Sequence, residues 1–229
     1  MRADAALQFA PPATVRRILI VGAGGFGREV LRWASDAWPE HSIKIGGFLS
    51  ADPQALQGHA LEVPILGDPA AFEPQPGDGL LLAIGIPAVR RRVAEDLEER
   101  GATFLTLVHP TAVAFPTAAI GAGSILCPHS IASDAVTLGR FVLMNYHSSL
   151  GHDAVTGDFA VLSPYAALGG GAKIGADAFL GLHASVGPGA TIGPRSKIAA
   201  NSAALRDAPA DSLIHGVPGR CAPVLGSAP

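Results

Sequence analysis

The hydrophobic positions of this chain obey one rule up to residue 109 and another after it. Residues 16–23, Arg-Arg-Ile-Leu-Ile-Val-Gly-Ala, form a short continuous apolar run of the kind buried in a parallel sheet. The glycine-rich turn Gly22-Ala23-Gly24-Gly25-Phe26-Gly27 follows, and then an amphipathic stretch from Arg28 to Trp38. A second strand is expected over Lys44 to Leu49 and a third over Gly79 to Gly85. Pro87 to Arg100 reads as a helix with proline in its first turn and Gly101 at its end, and Thr103 to Val108 as a further strand. Alternating strands and helices imply a small parallel sheet, too short for a full two-half dinucleotide fold.

After His109-Pro110 the period is six. Every sixth residue from Ile120 gives Ile120, Leu126, Ala132, Leu138, Met144, Leu150, Thr156, Leu162, Leu168, Ile174, Leu180, Val186, Ile192 and Ile198. Only Ala132 and Thr156 among them are not large aliphatics or Met. Two residues before each stands a small or β-branched residue, from Ala118 to Ser196, and nine of the residues that follow them are glycine. An unbroken register of six is a solenoid signature. Each hexad is a short strand plus a turn, and three hexads make one triangular coil, so the counted register covers about four and a half coils. The glycines are expected at the corners, where left-handed angles are needed.

Composition fits that picture. The 229 residues include 28 Gly and only 6% aromatics, as a fold of many tight turns requires. A net charge of −3 with 15% charged residues argues against a nucleic-acid surface. No apolar run is long enough for a transmembrane helix. The first 14 residues read as a flexible tail without the h-region of a signal peptide. Cys127 and Cys221 form no C-x-x-C and no disulfide framework, which makes a reducing cytoplasm the default.

Corner columns locate the candidate chemistry, because residues 18 apart stack. His152 is expected on an outward turn, in the column Asp134, His152, Gly170, Pro188, with Asp153 next to it. An imidazole beside a carboxylate is suited to general-base work. Gly170 leaves an open lane with a backbone N–H that can serve an oxyanion. A surface histidine at a turn is the plain alternative. His129, His147, Tyr165 and His183 share another column, read as a stacked edge at an oligomer contact or as one wall of a cleft. The five-residue step from His147 to His152 also matches a zinc-ligand spacing, but no third ligand stands at the expected place. In the first half, Gly22, Gly24 and Gly27 satisfy G-x-G-x-x-G, yet no acid closes the second strand, which ends at Ser50 with Asp52 beyond. A tight turn that only glycine fits, or a nucleotide-sugar pocket at the strand ends, are the other readings.

Over nearly its whole length the chain resembles the hexapeptide-repeat sugar acyltransferases. These include the UDP-4-amino-sugar and GDP-perosamine N-acetyltransferases and the sialic acid O-acetyltransferase-like proteins. The matching stretches are Val21 to Val30, Gly47-Phe48-Leu49, Ala83-Ile84-Gly85, Val108-His109-Pro110, Gly151-His152-Asp153, Gly157-Asp158-Phe159, Ser163-Pro164 and Gly216-Val217-Pro218. The resemblance implies an α/β Rossmann-like domain (residues 15–107) followed by a left-handed parallel β-helix (108–204) and a closing segment (205–229). It further implies a cytoplasmic homotrimer that binds acetyl-CoA between adjacent helices and uses no metal. His152 would be the general base, oriented by Asp153 or by its rival Asp134, and Gly170 N–H the oxyanion donor. Asn145 would lie near the acceptor, and Gly22, Gly24, Gly25, Phe26, Ser50 and Asp52 would form the sugar-nucleotide pocket. The chain departs from the family's pattern at Phe26, at Ser50-Ala51-Asp52 and at Ile86, all within that pocket.

The expected function is acetyl transfer to the amino group, or a hydroxyl, of a sugar for bacterial surface glycans. The acceptor would be a nucleotide-linked 4-amino-deoxy sugar. Two other classes share features of the sequence. A γ-class carbonic-anhydrase-like metal hydratase has the helix but does not account for the first domain. A non-catalytic sugar-nucleotide-binding scaffold leaves the His152–Asp153 pair unexplained.

Overall fold

The computed structural model describes residues 9–39 and 44–224, so residues 1–8 of the expected tail lie outside the described residues. The chain divides into two compact units, 1–109 and 110–229.

The first unit is built on five parallel strands: β1 (Arg17–Val21), β2 (Lys44–Leu49), β3 (Ile65–Gly67), β4 (Asp78–Leu82) and β5 (Thr103–Phe104), in the spatial order β3-β2-β1-β4-β5. Helix α1 (Gly25–Ala37) buries Gly27, Val30, Leu31, Ala34 and Ala37, one stripe at helical spacing. Helix α2 (Pro87–Glu99) begins on its proline and buries Pro87, Arg90, Ala94 and Leu97. Leu19, Ile20, Val21, Leu80, Leu81 and Leu82 are wholly buried, which is why these strands read as unbroken apolar runs.

One ion pair anchors the start of this sheet. Arg17 donates from Nε and Nη2 to the two carboxylate oxygens of Asp78, at 2.5 and 3.0 Å, and the Gln75 amide donates to Oδ2 at 2.9 Å. Burial pushes the Asp78 carboxyl up. The hydrogen bond from Arg17, with the Gln75 amide and the guanidinium charge, outweighs that and holds it below its usual value. The pair therefore stabilises the fold above the ordinary Asp value and is lost as pH falls through the lowered one, below roughly pH 4. Asp78→Asn is expected to lower stability by about 1.5–3 kcal/mol at pH 7. Urea titrations should show the difference from wild type narrowing in strong acid.

The second unit is a parallel β-helix. Sixteen two-residue strands recur every six residues from Val113–Ala114 to Ala203–Ala204, one hexad beyond the counted register at each end. Each pairs in parallel with the strand 18 residues away, for example Ser149–Leu150 with Ile131–Ala132 below and Ala167–Leu168 above. On the third face the sheet continues into Ser212–His215, which pairs in parallel with Lys197–Ile198 and antiparallel with Arg220–Pro223. The aliphatic residue of each hexad fills the prism: Leu126, Met144, Leu150, Leu162, Leu180 and Ile198 are at most 1% exposed. Serines at the small position find carbonyls, as when the Ser148 hydroxyl donates to Asn145 O at 2.7 Å. Thr156, at the aliphatic position of its hexad, is a buried hydroxyl with no partner among the described residues.

The glycines play a different part from the expected one. The hexad glycines that follow the aliphatic residues do not have positive φ. The left-handed position lies two residues later and mostly carries other residues, including His129, His147, Asp153, Tyr165 and His183 at φ 55–63°. What excludes a side chain after the aliphatic is the next coil. A Cβ on Gly151 would stand 2.7 Å from Gly170 N, and one on Gly169 2.7 Å from Pro188 N.

Candidate active site

The corner at Gly151-His152-Asp153 projects two polar side chains from a turn, with His152 71% and Asp153 65% exposed. The left-handed backbone of Asp153, at φ 60°, turns its carboxylate back along the coil, and Oδ2 lies 2.8 Å from His152 Nδ1. With Nδ1–H donating to the carboxylate, Nε2 carries the free lone pair, the tautomer a general base needs. Backbone bonds fix the corner from both sides. Asp153 N donates to Asp134 O at 3.0 Å, and Gly171 N donates to His152 O at 2.8 Å. Asp134, the rival orienting acid, accepts the Thr117 hydroxyl at 2.5 Å instead. Gly170 lies in the coil directly above His152, and among the described residues its N–H donates to no protein acceptor.

Other expected residues sit apart from this pair. Asn145 is on the preceding corner of the same coil, half-buried, with its Oδ1 accepting the Tyr146 amide at 2.8 Å. That corner carries the ring ladder. His129–His147, His147–Tyr165 and Tyr165–His183 stack with centroids 5.0, 4.8 and 4.7 Å apart and planes within 17°. The spacing is that of the coils themselves, about 4.7–4.9 Å between hydrogen-bonded strands. His147 and His152 thus occupy different corners. Among the described residues no three His, Cys, Asp or Glu side chains form a metal-holding group. Cys127 is buried and Cys221 exposed, and they are not joined in a disulfide.

In the first unit the expected pocket residues gather at the carboxyl ends of β1, β2 and β4, where the strand order reverses between β1 and β4. Open α/β sheets bind ligands at such a point. Gly22, at φ 108°, packs so closely that a Cβ would lie 2.6 Å from Ala83 O, and Gly27 packs against Gly22 O. Gly24 and Gly25 are exposed at the start of α1, and nothing lies within 4 Å of where a Cβ on Gly24 would be. Phe26 sets its ring edge-on to Trp33, centroids 5.9 Å apart. The Ser50 hydroxyl accepts the Asp52 amide at 3.2 Å, and Asp52 Oδ1 accepts the Gln54 amide at 2.9 Å, so this carboxylate closes its own turn. Ile86, beside the pocket residues at the start of α2, is 63% exposed.

Sequence reasoning passed over Arg90. It is wholly buried, and Nη1 donates to Leu82 O at 2.8 Å and Ile84 O at 2.6 Å, holding the segment that runs from β4 into α2. The signal was present: Pro87, Arg90, Ala94 and Leu97 form the buried stripe of α2, so one of three successive arginines faces inward.

Comparison with known proteins agrees with this layout. The profile of the PglD N-terminal domain family matches residues 17–97. The GDP-perosamine N-acetyltransferase of Escherichia coli O157:H7 is 33% identical over 72 residues, 31% of this chain and 33% of that enzyme's length. Solved structures match much further. PerB from Caulobacter crescentus, crystallised with CoA and GDP-perosamine, superposes with a TM-score of 0.80 at 28% identity over 90% of this chain and 96% of that one. The acetyltransferase domain of PglB from Neisseria gonorrhoeae does so with a TM-score of 0.82 at 26% identity, over 90% of this chain and all of that one. Residues 17–97 match the PglD N-terminal domain family, and nine-tenths of the chain shares its fold with these sugar acetyltransferases. The second unit is a left-handed parallel β-helix, matching that of these acyltransferases. No helix among the described residues is long and apolar enough to cross a membrane. The first domain of this chain carries Phe26 and Ile86 at the switch point and has Asp52 tied into a local turn.

Proposed function

We propose that the protein transfers the acetyl group of acetyl-CoA to the amino group of a nucleotide-linked 4-amino-deoxy sugar, as part of bacterial surface glycan synthesis in the cytoplasm. The observation that carries this reading is the His152–Asp153 pair on an exposed corner, with Nδ1 committed to the carboxylate and Nε2 free. His152 Nε2 takes a proton from the acceptor amine as its nitrogen attacks the thioester carbonyl. The tetrahedral oxyanion accepts a hydrogen bond from Gly170 N–H. On collapse the C–S bond breaks, and the CoA sulfur leaves with the proton held on the imidazolium. Asp153 stabilises that imidazolium and fixes its tautomer. No covalent enzyme intermediate is needed. The nucleotide of the acceptor is held by the glycine turn, chiefly Gly24 and Gly25, with Ser50 beside it, and Asn145 contacts the acceptor in a homotrimer. The relatives crystallised with CoA and GDP-perosamine support this choice of donor and acceptor class.

The test is thiol release from acetyl-CoA against UDP- and GDP-linked 4-amino sugars and the corresponding free sugars, with mass spectrometry of the product. N-acetylated nucleotide sugar is expected. A hydroxyl ester would move the assignment to O-acetylation. Tight sugar-nucleotide binding without thiol release from any acceptor would replace the enzyme by a binding scaffold.

A further inference from the structure

Gly170 is a glycine for a reason its own backbone does not supply. Its φ is not in the left-handed region, unlike that of its neighbour Gly171 at 68°. The obstacle is His152. A Cβ at residue 170 would stand 2.5 Å from Nε2, 2.6 Å from Cε1 and 3.1 Å from Cδ2 of the imidazole. A point on the Nε2 lone pair would be equally far from Cε1 and Cδ2. A point in the ring plane that close to both Nε2 and Cε1 would lie farther than 3.1 Å from Cδ2, so the three distances together place the methyl over the face of the ring. The equivalent positions on the other two corners of this coil carry side chains, Pro164 and Ala176. Directly above His152 the corner is bare, Gly169-Gly170-Gly171, and the next coil returns a side chain only at Pro188, between Gly187 and Gly189.

We infer that Gly170 is a positioning residue for the base. Its missing side chain lets the imidazole lie flat beneath the next coil. In that plane Nδ1 meets Asp153 and Nε2 is held toward the bare lane. The ring is thus clamped by a carboxylate at one nitrogen and a backbone surface on one face. This role is separate from hydrogen-bond donation by Gly170 N–H, and it rests on the reading of His152 as the general base.

Gly170→Ala separates the two roles, because alanine keeps the N–H and its φ is acceptable there. The variant is compared with wild type by steady-state kinetics, by thermal melting and by NMR of the His152 imidazole nitrogens. The expected result is kcat lowered on the order of a hundredfold, as for a base displaced by about an ångström. KM for acetyl-CoA and the melting temperature should stay at wild-type values, with the His152 Nδ1 resonance shifted. The same substitution in a His152→Ala background should change the melting temperature no further. An unshifted His152 resonance, or an unchanged kcat, overturns the inference. A raised KM with normal kcat overturns it in favour of a donor-binding role. Should wild type acetylate no sugar, the proposed function fails, while the NMR comparison still decides whether Gly170 places the ring.

Discussion

His152→Ala is expected to lower kcat for acetyl transfer by about 10²–10⁴-fold, the span that a positioned general base supplies. The fold should not notice. The side chain is 71% exposed and lies outside the strands, and among the described residues its side-chain hydrogen bond goes to Asp153, itself exposed. The backbone bonds of the corner, to Asp134 below and from Gly171 above, survive truncation at Cβ. Steady-state kinetics and a thermal melt on the same preparation check both halves. Wild-type turnover with an intact fold would remove His152 from the mechanism, whatever the family relationship.

Leu150→Ala should do the reverse, destabilising by about 2–5 kcal/mol through a core cavity. Leu150 lies on the strand leading into the His152 corner, 1% exposed, packed in its column between Ala132 and Leu168. The site cannot readily collapse. Ser149 N donates to Ala166 O, and Ser133 N reaches back to Leu150 O, so each two-residue strand is tied to the coils on either side. The outward neighbour Ser149 serves as control, with Ser149→Ala expected within about 0.5 kcal/mol. Urea denaturation measures both. A near-neutral Leu150→Ala would mean that the prism is looser than its packing indicates.

The helix was legible because one repeated physical demand, filling a narrow prism every six residues, writes itself into spacing. From spacing alone the position of His152, its outward direction and its column mates could be stated in advance. The choice between Asp153 and Asp134 could not be. It depends on a left-handed φ at residue 153 that aims one carboxylate, and on Thr117, a residue no pattern singled out, occupying the other. The meaning of the hexad glycines was also hidden. A close approach from the coil above is a long-range fact, and sequence shows glycine without showing what crowds it. The first domain was legible as alternating elements. Arg90 escaped because a buried guanidinium looks like its exposed neighbours until the helix stripe is drawn.

The six-residue register carries two reading frames, and mutation by insertion or deletion meets them differently. The core is read in steps of six, so removing any whole hexad still delivers an aliphatic residue to the prism. The corners are read in steps of eighteen. Deleting one hexad between Asp153 and Gly169 would bring Ala176 over His152, and deleting two would bring Leu182. Either change keeps the core in frame and sets a side chain against the imidazole. In this part of the helix, chain length is free to vary for folding and fixed for chemistry.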